Sequence, residues 1–148
     1  MAFDHRGVKL RGRVLQELQE LGHEAVDLGT ETPEPMVDYP DKAREIGEAI
    51  RGGEAERAIF VCGSGVGASI AASKLAGVRA AICHDTYSAR QGVQHDDMNV
   101  ICIGSGVVGE DLAAELISAF LAAEFDGAER YRRRLEKIEA MEREGLNV

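Results

Sequence analysis

Short apolar runs alternating with helical patterns constrain this chain more than any other feature. Ala58–Cys62 (AIFVC) and Asn99–Ile103 (NVICI) are apolar on both faces, and each leads into a glycine-rich loop and then a helical pattern. Strands of that kind belong to parallel sheets covered by helices on both sides. The alternation runs the length of the chain. Met1–Phe3 is a strand stub, followed by a helix over Val8–Leu21 with Leu10, Val14, Leu18 and Leu21 on one face and Gly22 as its stop. Glu24–Leu28 reads as a strand, Gly29–Pro40 as a loop, and Asp41–Arg51 as a helix closed by Gly52 and Gly53. After Ala58–Cys62, the pattern predicts a helix over Ala68–Leu75, a strand over Val78–Cys83 and a short helix over Thr86–Gly92. Asn99–Ile103 leads to a helix over Glu110–Ala123, and a last helix covers Ala128–Arg143. The first strand is short against the usual ~5–6 residues, so the natural chain is expected to begin a few residues earlier.

Ligands of such sheets bind at the carboxyl ends of the strands, in the following loops. The candidate segments are therefore Asp4–Gly7, Gly63–Gly67, His84–Asp85 and Gly104–Gly109. Residues 1–148 form a single domain, long enough for a hydrophobic core without staples or metals. A net charge of -9 argues against nucleic-acid and acidic-membrane partners, because phosphate backbones attract basic surfaces. The absence of Trp argues against an aromatic-lined carbohydrate groove. Cys62, Cys83 and Cys102 end or interrupt apolar runs, which is where reduced core thiols sit, and their odd number makes no disulfide framework. No apolar run reaches transmembrane length, and the start MAFDHRGVKLR lacks a secretory apolar segment, so the expected compartment is cytoplasmic.

The segment Cys62-Gly63-Ser64-Gly65-Val66-Gly67 joins an apolar strand to a helix. Glycines let the backbone turn tightly and bring several N–H groups to one bound oxygen, and the helix N-terminus adds positive potential. A thiol in such a place can serve as a thiolate base or nucleophile. A lone cysteine is more often the last core residue of its strand; the glycine loop directly after it reverses that preference. The loop is not a P-loop, since no Gly-Lys-Ser/Thr follows. Gly104-Ser105-Gly106-Val107-Val108-Gly109 matches a dinucleotide fingerprint, but a helix follows where a second strand is required, so it is read as helix–strand packing near the site.

Asp4-His5 after the first strand and His95-Asp96-Asp97 before the last both suit a site at the carboxyl edge, and a histidine suits general acid work. Each alone is more often a hydrogen-bonded loop residue. His23 looks structural and His84 is ambiguous. No metal-ligand spacing occurs, so neither metal nor other cofactor is expected. Arg130 and Arg134, four apart in the run Arg130-Tyr131-Arg132-Arg133-Arg134, share a helix face and either grip one phosphate or form a solvated face with the following glutamates.

Together these residues resemble the ribose-5-phosphate isomerase B family, which includes galactose-6-phosphate isomerase subunits. The resemblance spans nearly the whole chain and rests on Asp4-His5, Gly29-Thr30, Asp38-Tyr39-Pro40, the block VCGSGVGASIAASKLAGVRAAIC, Tyr87-Ser88-Ala89, His95-Asp96 with Asn99-Val100, and the terminal arginines. It implies a metal-free aldose–ketose isomerase with a three-layer αβα, Rossmann-like fold, a five-stranded parallel sheet and a C-terminal helix. It also implies a homo-oligomer, dimer or tetramer, with sites shared between subunits. By the resemblance Cys62 is the base that moves a proton from C2 to C1 through a cis-enediolate. Gly63, Ser64, Gly65, Val66 and Gly67 offer N–H groups to the oxyanion, and Ser64 moves protons between O1 and O2. His95 opens the sugar ring, Asp4 and His5 contact sugar and phosphate, and Arg130 and Arg134 hold the phosphate.

Some positions depart from the pentose enzymes. Asp96 replaces an asparagine that contacts the sugar, Gly106 stands where an arginine often reaches the phosphate, and Tyr131 replaces a histidine. The default substrate is ribose 5-phosphate, with ribulose 5-phosphate as product. The alternatives are erythrulose 4-phosphate, allose 6-phosphate or galactose 6-phosphate by the same mechanism, and, third, a non-catalytic sugar-phosphate or nucleotide sensor. Retention of Cys62, Ser64 and His95 together speaks against the third, since binding needs no base.

Overall fold

The computed structural model describes residues 1–145. Four parallel strands form one sheet: β1 (Ala2–Phe3), β2 (Ala58–Cys62), β3 (Ala80–Ile82) and β4 (Val100–Gly104), in the order β1-β2-β4-β3. The helices are α1 (Arg11–Glu20), entered through a 3₁₀ turn over Gly7–Leu10, α2 (Tyr39–Arg51), α3 (Val66–Ala72), α4 (Thr86–Asp96), α5 (Glu110–Ala122) and α6 (Glu129–Gly145).

Strand alternation sorts the core into two layers. Ala58, Phe60 and Cys62 of β2, with Val100 and Cys102 of β4, face Ala43 and Ile46 of α2 and Ala68 and Ala72 of α3. Ile59, Val61, Ile101 and Ile103 face the other way, onto Val14 and Leu18 of α1, Val93 of α4, and Leu116, Ile117 and Phe120 of α5. Phe3, Phe60 and Phe120 are fully buried, each contributing about 1.5–3 kcal/mol by leaving water. The result is the three-layer αβα arrangement, with Cys62 pointing into the α2/α3 layer at the carboxyl edge.

The sheet has four strands among the described residues, not the expected five. Residues 24–28 do run beside β1: the Met1 ammonium donates to Val26 O (2.8 Å), Leu28 N–H to Met1 O (3.0 Å) and Phe3 N–H to Gly29 O (2.7 Å). The strand they run beside is two residues long, and Gly29 then turns to φ +72°, so no regular ladder develops. Arg11 nevertheless ties this segment to α1 through Asp27, and the guanidinium holds that carboxyl below its usual range.

The helix starting at Thr86 passes Gly92 and continues to Asp96. A Cβ on Gly92 would lie 3.1 Å from Met98 Cε, so this glycine makes room for a core side chain instead of ending the helix. The helix ends at Asp97, which takes the left-handed conformation (φ 49°) that Asp tolerates.

Candidate active site

The loop after β2 is built around the Cys62 sulfur. Gly65, at φ +82, caps α3, and its N–H donates to Cys62 Sγ at 3.1 Å. The conformation suits glycine, and the approach is close: a Cβ there would meet Gly104 N at 3.3 Å. Ser64 is exposed, and its Oγ accepts the Val66 N–H at 3.2 Å. Cys62 itself is only 4% exposed and packs in the α2/α3 layer. The other thiols serve packing: burial, helped by Asp85, pushes Cys83 up to about 11, and burial raises Cys102 as well.

Because β2 and β4 are neighbours, the two glycine loops lie side by side. Ser105 N–H donates to Cys62 O (2.8 Å) and Gly106 N–H to Gly63 O (2.9 Å). The second loop thus braces the first. His84 Nε2 accepts the Gly104 N–H at 2.9 Å, and burial lowers the pKa of this imidazole against a smaller opposing effect of Asp85.

The β1 loop completes this group. Asp4 is buried, and its Oδ1 accepts N–H groups from Arg6 (2.9 Å) and Gly7 (2.8 Å), shaping the loop. His5 Nδ1 faces Val37 O at 3.1 Å and Val37 N at 3.3 Å, docking the proline loop against the site. Tyr39 and Arg6 lie over the glycine loop: a Cβ on Gly67 would be 2.7 Å from Tyr39 Cζ, and one on Gly63 would be 2.5 Å from Arg6 Cζ.

The second group of sequence-predicted residues lies elsewhere. The expectation that His95 and Asp96 sit at the carboxyl edge is corrected. An 11-residue helix, rising ~1.5 Å per residue, carries them back to the amino edge, just before β4 begins. There His95 stacks on Tyr131 with ring centroids 4.2 Å apart and an interplanar angle of 13°, while Gln91 Nε2 lies 2.8 Å from its Nδ1. Arg130 Cζ is 4.5 Å and Arg134 Cζ 5.8 Å from the Tyr131 ring centre, so the two arginines do share a face, and Arg130 donates to Tyr131 Oη at 3.0 Å. Arg133 is drawn off by Glu129. Asp96 is exposed beside a cavity of about 660 Å³ between β3 and α6, which Arg79, Met98, Ile138 and Met141 also line.

One chain therefore brings together Asp4, His5, Cys62 and the Gly63–Gly67 loop, and separately His95, Arg130 and Arg134. Sequence reasoning included Tyr39 and Ser105 in quoted segments but gave neither a role in the first group, and it missed the Tyr131–His95 stack in the second. Ser105 Oγ donates to Arg6 O at 2.7 Å; its position between two glycines after a strand was the available signal. Among the described residues no helix is long and apolar enough to cross a membrane, and no group of three or more His, Cys, Asp or Glu is placed to hold a metal ion.

A doubly covered parallel sheet, with a thiol and a glycine loop at its carboxyl edge, defines the class of α/β protein that binds its ligand in the loops after the strands. The comparisons with known proteins narrow it. The family model described as Ribose/Galactose Isomerase matches residues 1–138. The chain is 44% identical over 139 residues to ribose-5-phosphate isomerase B of Escherichia coli, covering 94% of this chain and 92% of that one. It is 39% identical over 124 residues to D-erythrulose-4-phosphate isomerase of Pectobacterium atrosepticum, covering 84% and 82%. The structure of ribose-5-phosphate isomerase B from Clostridium thermocellum superposes with a TM-score of 0.92 at 41% identity, covering 97% of this chain and 95% of that one. The chain belongs to the Ribose/Galactose Isomerase family and is an aldose–ketose isomerase.

Proposed function

We propose that this sugar-phosphate isomerase interconverts ribose 5-phosphate and ribulose 5-phosphate with Cys62 as its base. The observation that carries the reading is the Cys62 sulfur held under the glycine loop that follows it, accepting the Gly65 N–H at 3.1 Å. The thiolate takes the hydrogen from C2 of the open-chain aldose as a proton, and the C2–H electrons form the C1–C2 double bond of a cis-enediol(ate). The same sulfur returns the proton to C1. Ser64 carries a proton from O2 to O1, so the carbonyl moves from C1 to C2 with no outside oxidant. N–H groups of Gly63–Gly67 meet the charge that develops on oxygen, the preorganised electrostatics such a step needs.

The reading requires a second copy of the chain. His95, which opens the furanose ring, and Arg130 and Arg134, which hold the phosphate, sit at the opposite edge from Cys62, so a neighbouring copy supplies them, while Asp4 and His5 contact the sugar from the Cys62 side. Asp96 reads the hydroxyl pattern. The uncovered apolar surface supports this: β3 is an edge strand, and Ile70 (59%), Tyr87 (64%) and Met141 (70%) are exposed. A second reading, the same chemistry on erythrulose 4-phosphate, draws support from the Pectobacterium relative and from the carboxylate at position 96.

The test is turnover of the purified enzyme on a panel of tetrose, pentose and hexose phosphates. The expected result is highest kcat/KM on ribose 5-phosphate. Preference for erythrulose 4-phosphate selects the second reading, and failure to turn over any member contradicts both.

A further inference from the structure

We propose that Arg6 is a further substrate-binding residue, whose guanidinium takes the phosphate group of the substrate beside the glycine loop; this rests on the sugar-phosphate reading above. The main chain of Arg6 is fixed at both ends. Its N–H donates to Asp4 Oδ1 (2.9 Å) and its carbonyl accepts the Ser105 hydroxyl (2.7 Å). The side chain lies across the loop, in space that the lack of a side chain on Gly63 leaves open, with Gly106 in ordinary contact beside it. A Cβ on Gly63 would lie 2.5 Å from Arg6 Cζ, 2.6 Å from Nη1 and 2.7 Å from Nε, and one on Gly106 would lie 3.7 Å from Nη2.

Among the described residues no carboxylate pairs with the Arg6 guanidinium and no hydrogen bond satisfies it, although Arg11, Arg13, Arg79 and Arg133 all have acidic partners. The neighbouring Asp4 carboxylate has its Oδ1 occupied by main-chain N–H groups. A protein of net charge -9 repels a phosphate dianion overall, so capture depends on local cations. Arg6 places a planar, permanently charged donor set at the β1 and β2 loops, where it suits two phosphate oxygens at once.

Because the side chain makes no bond within the fold and both main-chain contacts survive substitution, Arg6→Ala and Arg6→Gln are expected to fold normally. The experiment measures the affinity of inorganic phosphate by calorimetry, together with KM and kcat for the sugar phosphate the enzyme turns over. Both variants are expected to weaken phosphate binding and raise KM by roughly ten- to a hundredfold, the usual cost of losing a hydrogen bond to a charged group, with kcat changed by less than about threefold. Arg6→Lys is expected to fall between. Phosphate affinity and KM equal to wild type in Arg6→Gln overturn the proposal. Absence of wild-type turnover would instead sink the isomerase reading, while the calorimetric result would still decide whether Arg6 binds phosphate.

Discussion

His84 holds the end of β4, whose following loop braces the glycine loop after Cys62, through one hydrogen bond, so its charge state matters to residues that it does not touch. Its Nε2 accepts the Gly104 N–H, which a protonated imidazole cannot do. Burial lowers its pKa below 6.5 in the folded protein. The unfolded chain therefore takes up this proton at higher pH than the native one. Stability from this group is complete above the unfolded value and drains away as pH falls through the folded one. Thermal unfolding followed from about pH 7.5 down to about pH 5 is expected to lose Tm less steeply in His84→Gln than in wild type. Equal slopes would contradict the assignment.

At the scale of elements, the two glycine loops act as a pair because β2 and β4 are adjacent. A Cβ on Gly104 would lie 2.6 Å from the Ser64 carbonyl, main-chain atoms that cannot swing away. Gly104→Ala is expected to cost about 1–3 kcal/mol in urea unfolding and to lower kcat by shifting Ser64. Gly109→Ala, with nothing within 4 Å of its added Cβ and φ -87°, is expected to leave kcat unchanged and to cost only the helix-capping preference for Gly over Ala, about 0.5–1 kcal/mol. A Gly104→Ala protein as stable and active as wild type would separate the loops. The site elements on the Cys62 side were legible in the sequence, since Ala58–Cys62 and its glycine loop need only an apolar run and a turn. The length of α4 was not, because Gly92 reads as a stop until its contact with Met98 is known. Nor was the irregularity of residues 24–28, which follows from a β1 only two residues long. His95 and Asp96 were misplaced for a different reason: they lie just before β4, and a residue just before a strand of a parallel sheet sits at the amino edge however long α4 is.

At the scale of the whole molecule, one chain gathers two separate groups of candidate residues. One carries the sulfur and the N–H cradle; the other carries His95, Tyr131, Arg130 and Arg134 in one stacked cluster. The proposed reading divides the chemistry between copies, since the two groups lie at opposite edges of the sheet, and this makes its central claim, that Cys62 moves the proton, open to a direct test. Cys62→Ala and His95→Ala chains carrying different tags are co-expressed, purified as the mixed dimer and assayed on a cyclic sugar phosphate beside each homodimer. The account predicts that the Cys62→Ala homodimer loses about 10²–10⁴ in kcat and that the mixed dimer, with one native site of two, regains about half the wild-type rate. Normal turnover by the Cys62→Ala homodimer would contradict it.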